Sequence, residues 1–241
     1  MMLPCDHTFI QAVSHFTHLV ELCIDLASHE VLVSPRHAGH YPDGNPVIRL
    51  ESLKYLAVTG VGSTPSLSWV AFWELPSLGH FAVRNECSME DLLTTSFINF
   101  GKKLTHLYLR GIFVPTSLED LETHTPHLLH LRVDWLPGLF PQIPAHRELR
   151  TIYLYDREWL TPWKHPSSHH SVDATYQIRK KWPKLQEIRD MTDMYVLSSP
   201  GKVPQWQVDE ILTLRSVGIS VLDRKGVSVT LRETKQGDLV E

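Results

Sequence analysis

The chain has 241 residues, 42% of them hydrophobic, enough to bury a sizeable core in a single domain. Its 23 Lys and Arg against 27 Asp and Glu give a net charge of -4, which speaks against nucleic acid or an anionic membrane as partner. Cys5, Cys23 and Cys87 are too few and too scattered for a disulfide framework and form no Cys-x-x-Cys pair, so a reducing compartment, cytoplasm or nucleus, is the expectation.

Residues Asp6 to Phe16 read as a helix, and the charge and polarity of Asp6, His7 and Gln11 leave no apolar run of a secretory signal. A short apolar pattern follows, Leu19-x-x-Leu22-x-Ile24, and then a loop from Ser34 to Pro46 marked by Pro35, Gly39, Pro42, Gly44 and Pro46. The pattern returns as Leu53-x-x-Leu56-x-Val58, Leu78-x-x-Phe81-x-Val83, Leu104-x-x-Leu107-x-Leu109, Leu128-x-x-Leu131-x-Val133 and Leu149-x-x-Ile152-x-Leu154, with a degenerate copy at Leu185-x-x-Ile188. Tyr55 to Trp73 is the longest stretch without a charge, but Gly60, Gly62 and Pro65 break it, so it is not a membrane span.

Helix signals stand between the copies. Ser88 before Met89 to Leu93, with Asp91 at the third position, resembles a capping box, and Gly101 supplies a stop; Ser117 and Asp120 repeat the arrangement ahead of Leu121. Pro76, Pro126 and Pro183 each stand two residues before a repeat leucine and end the preceding helix or loop. A second insertion, Trp159 to Ser171, precedes a helix running to about Lys181. Beyond Leu185 the repeat fades. Tyr195 to Leu197 read as a last strand, Gln205 to Val217 as a helix with Trp206, Ile211 and Leu214 inward and Gly218 as its stop, and Ile219 to Leu222 with Val227 to Leu231 as a hairpin.

Successive leading leucines are 34, 25, 26, 24, 21 and 36 residues apart, and the four middle steps fall in the range of leucine-rich repeats. A strand turns alternate residues to opposite faces, so the last two apolar positions of each copy point into one core. One such strand cannot bury that face alone, whereas stacked copies cover one another. The predicted fold is therefore α/β: a leucine-rich-repeat solenoid over residues 1–191, parallel strands on its concave face and helices on its convex face, with loop insertions near 34–46 and 159–171. A C-terminal α/β cap, a helix plus a β-hairpin, takes residues 192–241. Strands are expected at about 20–24, 55–59, 79–84, 106–110, 130–134, 151–155 and 187–190.

Helix, x-Pro-x-Leu-x-x-Leu-x-Leu strands of this step, followed by a tryptophan-rich ending, resemble the leucine-rich-repeat portions of fungal F-box-like proteins over roughly residues 5 to 190. The resemblance implies that the repeats hold a protein substrate for ubiquitination. A cullin-ligase adaptor would be a second partner if an F-box stands upstream, since the chain enters a repeat within its first twenty residues and holds no F-box of its own.

Aligning the copies sets His80, His106 and His130 in one column of the concave face, Tyr108, Arg132 and Tyr153 in a second, and Arg84, Arg110, Asp134 and Tyr155 in a third. Tyrosine and arginine anchor protein interfaces because they combine contact area with polar anchoring. These ten residues are the candidate protein-binding site, and the leading functional reading is a non-catalytic interaction module. An enzyme or metal-binding protein using the histidine column is the competing class, and a truncated reading frame without independent function a third. Metal binding is disfavoured because a flat ladder presents ligands in a row rather than around a point. No Gly-x-Ser-x-Gly, Gly-x-x-x-x-Gly-Lys or His-Glu-x-x-His motif appears, so no catalytic residue, cofactor or metal is assigned. Free imidazoles titrate near pH 6.5, so the column is expected to gain positive charge between about pH 7.5 and 5.5.

Overall fold

A computed structural model describes residues 12–13, 15–25, 48–60, 73–85, 96–111, 118, 120–134, 143–154, 177–191 and 205–228. Within them lie eight strands: β1 Glu21–Asp25, β2 Tyr55–Gly60, β3 His80–Asn85, β4 His106–Gly111, β5 His130–Asp134, β6 Thr151–Leu154, β7 Glu187–Asp190 and β8 Ser220–Asp223. They form one sheet in sequential order, and every pairing is parallel. The seven strands expected from the repeat spacing are all present, to within a residue or two at their ends.

The register places repeat position beside repeat position. Leu22, Leu56, Phe81, Leu107, Leu131, Ile152, Ile188 and Val221 are successive partners in one column, and Ile24, Val58, Val83, Leu109, Val133 and Leu154 in the next. From Leu56 and Val58 onward these apolar side chains are almost wholly buried. The leading leucines Leu53, Leu78, Leu104, Leu128, Leu149 and Leu185 are fully buried beside them. The first rung is less well covered, with Leu19 and Leu22 only partly buried and Phe16 and Val20 exposed.

The prolines have a more specific role than helix termination. Leu78, Leu128 and Leu185 each donate a backbone hydrogen bond three residues back, to Leu75 (3.2 Å), Thr125 (3.0 Å) and Trp182 (3.1 Å). Pro76, Pro126 and Pro183 thus occupy the second position of a β-turn, where a φ fixed near -65° is already correct. The turn delivers the leucine to the core and starts the strand two residues later.

Short helical segments supply the other side of the core. Residues 96–100 run into a 3-10 turn at Gly101–Lys103; helix α1 is Leu121–His124, residues 177–181 are helical, and helix α2 is Gln205–Ser216. Phe97, Phe100, Leu121, Ile178, Trp182, Ile211 and Leu214 are buried in one cluster with the inward strand columns. The helices therefore lie against the face of the sheet opposite the histidine column.

Several expectations about these segments change. Ser88, Met89 to Leu93 and Ser117 lie outside the described residues, as do the insertions at 34–46 and 159–171 and the segment Tyr195 to Leu197. Asp120 does stand at the N-cap of α1, but makes no side-chain capping bond. Gly101 is not a left-handed helix stop. A Cβ there would meet the carbonyl oxygen of His124 at 2.6 Å and Thr125 Cγ2 at 3.3 Å, so the glycine permits a close approach between neighbouring repeats. Replacing Gly101 by alanine is expected to cost about 1–3 kcal/mol through forced displacement of backbone, measurable by urea titration. A change below about 0.5 kcal/mol would show that the neighbour yields freely.

At the C-terminal end the difference is larger. Gly218 does stop α2, at φ +75° with Ile219 N–H bonded to Leu214 O (3.0 Å) and Gly218 N–H to Arg215 O (2.9 Å), a full Schellman motif. The expected turn at residues 223–226 is present, with Asp223 N–H bonded to Val227 O (2.8 Å). β8 in addition pairs parallel with β7, so the sheet runs past residue 191 as an eighth rung. The antiparallel partner is described only to Ser228, which meets Leu222 in a single bridge. Asp190 and Asp223, both buried, take the positions in the second core column that apolar residues hold in the other rungs. Asp223 Oδ1 accepts the N–H groups of Lys225 (2.9 Å) and Val227 (2.7 Å), folding the turn back over the last rung.

Candidate functional site

The face of the sheet opposite the core carries the predicted columns in the predicted register. His80, His106 and His130 are direct partners on β3, β4 and β5. Their rings stack, with centroids 3.8 Å apart at 12° for the first pair and 4.2 Å at 17° for the second. Tyr55 leans on one end of the stack and Tyr153 on the other, both at 6.3 Å.

The stack fixes the chemistry of these imidazoles. Burial pushes all three below the ordinary histidine range. In the middle, burial first and then the positive charge that His80 or His130 would carry bring His106 down to about 4. Glu187 opposes the shift at His130 and Arg189 adds to it. His106 thus stays neutral across the range in which free imidazoles gain charge, and His80 and His130 take up protons at lower pH than free imidazoles, which corrects the sequence-based expectation. Thr105 Oγ1 donates to Gly79 O (3.1 Å) and lies 2.9 Å from His106 Nδ1, within hydrogen-bond distance, which fixes the orientation of the ring. His130 Nδ1 is buried without a hydrogen-bond partner among the described residues, which favours hydrogen on Nε2. Parallel rings do not converge on a point, and among the described residues no group of three His, Cys, Asp or Glu side chains is arranged to hold a metal ion.

In the second column, Tyr108, Arg132, Tyr153 and Arg189 follow one another on β4 to β7. The alternation has a physical result: each arginine lies over the tyrosine of the preceding rung, Arg132 Cζ 5.8 Å from the Tyr108 ring and Arg189 Cζ 5.5 Å from the Tyr153 ring. Arg189 is also held by Glu187 at 3.1 Å. The long side chains are thereby held in place before any partner arrives, which lowers the entropy lost on binding.

On β2 and β3 the same column holds Ala57 and Ala82, partners in register. Where neighbouring rungs carry Tyr and Arg, these two leave a notch. It is a cavity of about 330 Å³ floored by the alanines and bounded by Tyr55, Thr59, Arg84, Tyr108, Arg110 and Arg132. Arg84 and Arg110 are register partners and both are exposed. Burial, with the negative charges that Cys23 and Glu21 would carry, raises the Tyr55 phenol above its ordinary range, so it remains a hydrogen-bond donor. Asp134 has its backbone beside Arg110, and Tyr155 lies outside the described residues.

Of the ten predicted residues, the structure therefore brings Arg84, Tyr108, Arg110 and Arg132 to one notch and stacks His80, His106 and His130 along its border, with Tyr153 next in line. Sequence reasoning missed Tyr55 and the two alanines. The signal was available in the aligned columns, where small residues interrupt a run of large ones. Another histidine is structural: His146 is fully buried, with Nε2 2.9 Å from Thr125 O and Nδ1 accepting Glu148 N–H at 3.3 Å. Among the described residues no helix is long and apolar enough to cross a membrane. No protein-family model, curated protein or solved structure matches this chain, so the description of its site rests on its own geometry.

Proposed function

We propose that this chain is a non-catalytic binding platform that takes a segment of a partner protein on the open face of its sheet. The observation that carries the reading is the tyrosine–arginine alternation beside the Ala57–Ala82 notch: large, preordered anchors next to a space of side-chain size, the arrangement of an interface hot spot. In this reading the rungs are leucine-rich repeats and the open face is their concave side. The finer role, substrate recognition within an F-box-type ubiquitin ligase in cytoplasm or nucleus, is supported by the repeat pattern.

The test is affinity capture from a lysate of the producing cell, with wild-type chain beside Arg132→Ala, Tyr153→Ala and the notch-filling pair Ala57→Trp, Ala82→Trp. Each change is expected to weaken capture of the same protein about tenfold or more while leaving the melting temperature within a few degrees of wild type. Capture indifferent to all of them would move the binding site to the loops. Co-capture of a cullin-ligase adaptor would extend the reading to ligase assembly, and metal analysis of the purified chain addresses the competing class. A tightly held stoichiometric zinc would replace the binding platform with a metal centre.

A further inference from the structure

We infer that the notch over Ala57 and Ala82 receives an aromatic side chain of the partner, an inference that rests on the binding-platform reading and names the chemistry of its occupant. Size comes first. The second column passes from Ala57 and Ala82 to Tyr108, so two neighbouring rungs carry a methyl group where the next carries a phenol ring. The space above the methyl groups, about 330 Å³, is bordered by Tyr55, Tyr108 and Arg84. It has room for one ring laid on the alanines, and burying a ring is the largest gain a single side chain of the partner can bring.

Charge then separates a ring from other occupants of that size. Guanidinium groups of Arg84, Arg110 and Arg132 border the notch and no acidic side chain lines it, so a lysine or arginine of the partner would be repelled. A carboxylate would need N–H donors, and Arg110 and Arg132 already have interactions of their own, with Asp134 beside Arg110 in register. An aromatic ring asks for less: its negative face is attracted to a neighbouring guanidinium while the N–H groups keep the bonds they make. An aliphatic chain would gain burial without that attraction. The same face already uses this contact twice, with Arg132 over Tyr108 at 5.8 Å and Arg189 over Tyr153 at 5.5 Å. Arg84 stands on β3 two residues past Ala82, on the same side of the sheet and exposed, and is the guanidinium placed to do this for the incoming ring.

The test titrates the whole, isotope-labelled chain with N-acetylphenylalaninamide and with N-acetylcyclohexylalaninamide, which matches it in bulk but has no π face, and follows backbone amide shifts by NMR. The phenyl probe is expected to shift the amides of Ala57 and Ala82 saturably, with the millimolar affinity of a single side chain, and to bind about threefold or more tightly than the cyclohexyl probe. Ala82→Leu, which fills the notch, should leave no saturable shift, and Ala57→Leu gives the same reading if Ala82→Leu fails to fold. Arg84→Gln should remove most of the preference for the phenyl probe, and Arg84→Lys should restore part of it by returning the charge. Equal or tighter binding of the cyclohexyl probe, saturable shifts that survive filling of the notch, or a preference unchanged by Arg84→Gln overturns the inference. The partner captured by the wild-type chain separates the two levels. If it is lost on filling the notch while the phenyl probe shows no preference, the platform stands and the aromatic occupant falls. If filling the notch changes neither capture nor probe binding, both fall.

Discussion

Phe81→Ala is expected to destabilise the protein by about 3–5 kcal/mol, the usual cost of emptying a buried aromatic site. Phe81 is wholly buried, lies in register between Leu56 and Leu107, and meets Phe100 edge-on at 5.1 Å and 81°. Substitution removes the transfer energy of the ring, the aromatic contact with the 96–100 helical segment, and the bearing surface of two neighbouring rungs. Because stacked repeats share their stability with their neighbours, protection from hydrogen exchange should fall in β2 and β4 as well as in β3. Urea titration gives the magnitude. A loss below about 1 kcal/mol would mean that the cavity collapses or that the site is less tightly packed than described.

Acidification from pH 7 to 4.5 is expected to remove on the order of 2 kcal/mol of stability through His106 alone. An unfolded histidine titrates near 6.5, whereas in the folded chain His106 does so at about 4. As pH falls through 6.5 the unfolded chain takes up the proton first, so stability present above that value is lost progressively and is gone below about 4. The full shift corresponds to about 3 kcal/mol at roughly 1.4 kcal/mol per pH unit, reduced here because the ring is only partly shielded from water. His80, His130 and His146 are lowered in the same direction and add to the same slope. Comparing the acid sensitivity of the wild-type chain with that of His106→Gln isolates the effect from carboxylate titration. Identical losses in the two proteins would assign the acid sensitivity elsewhere.

The stack was legible in the sequence because two periodicities reinforce each other. Alternation within a strand picked out Leu107 and Leu109 as inward, and a step near 25 residues set Leu107 beside Leu131. The histidine column followed from the same alignment. What the alignment did not contain was the response of the side chains to being stacked: three imidazoles a ring thickness apart cannot keep the titration of isolated ones. The eighth rung escaped for a local reason. Its leading leucine position is Gly218, in a left-handed conformation no leucine adopts readily, and its second core position is Asp223. A pattern search keyed to apolar residues therefore found the hairpin turn but not the parallel pairing of its first arm with β7. The notch was overlooked because alanine on a strand face reads as filler until its neighbours prove large.

The change of the second core column from Leu154 to Asp190 and Asp223 bears on how such a chain can lengthen. Stacks of this kind grow by in-frame duplication of a unit, and a copied rung must fit between two others. The units carrying β2 to β6 offer apolar side chains to both neighbours, so a duplicate of any of them meets a matching surface. A duplicate of the unit carrying β8, inserted among them, would set the Asp223 carboxylate against the aliphatic side chains of Val133 or Leu109. A duplicated rung is thus expected to fit among β2 to β6 more readily when copied from one of them than when copied from the unit carrying β8.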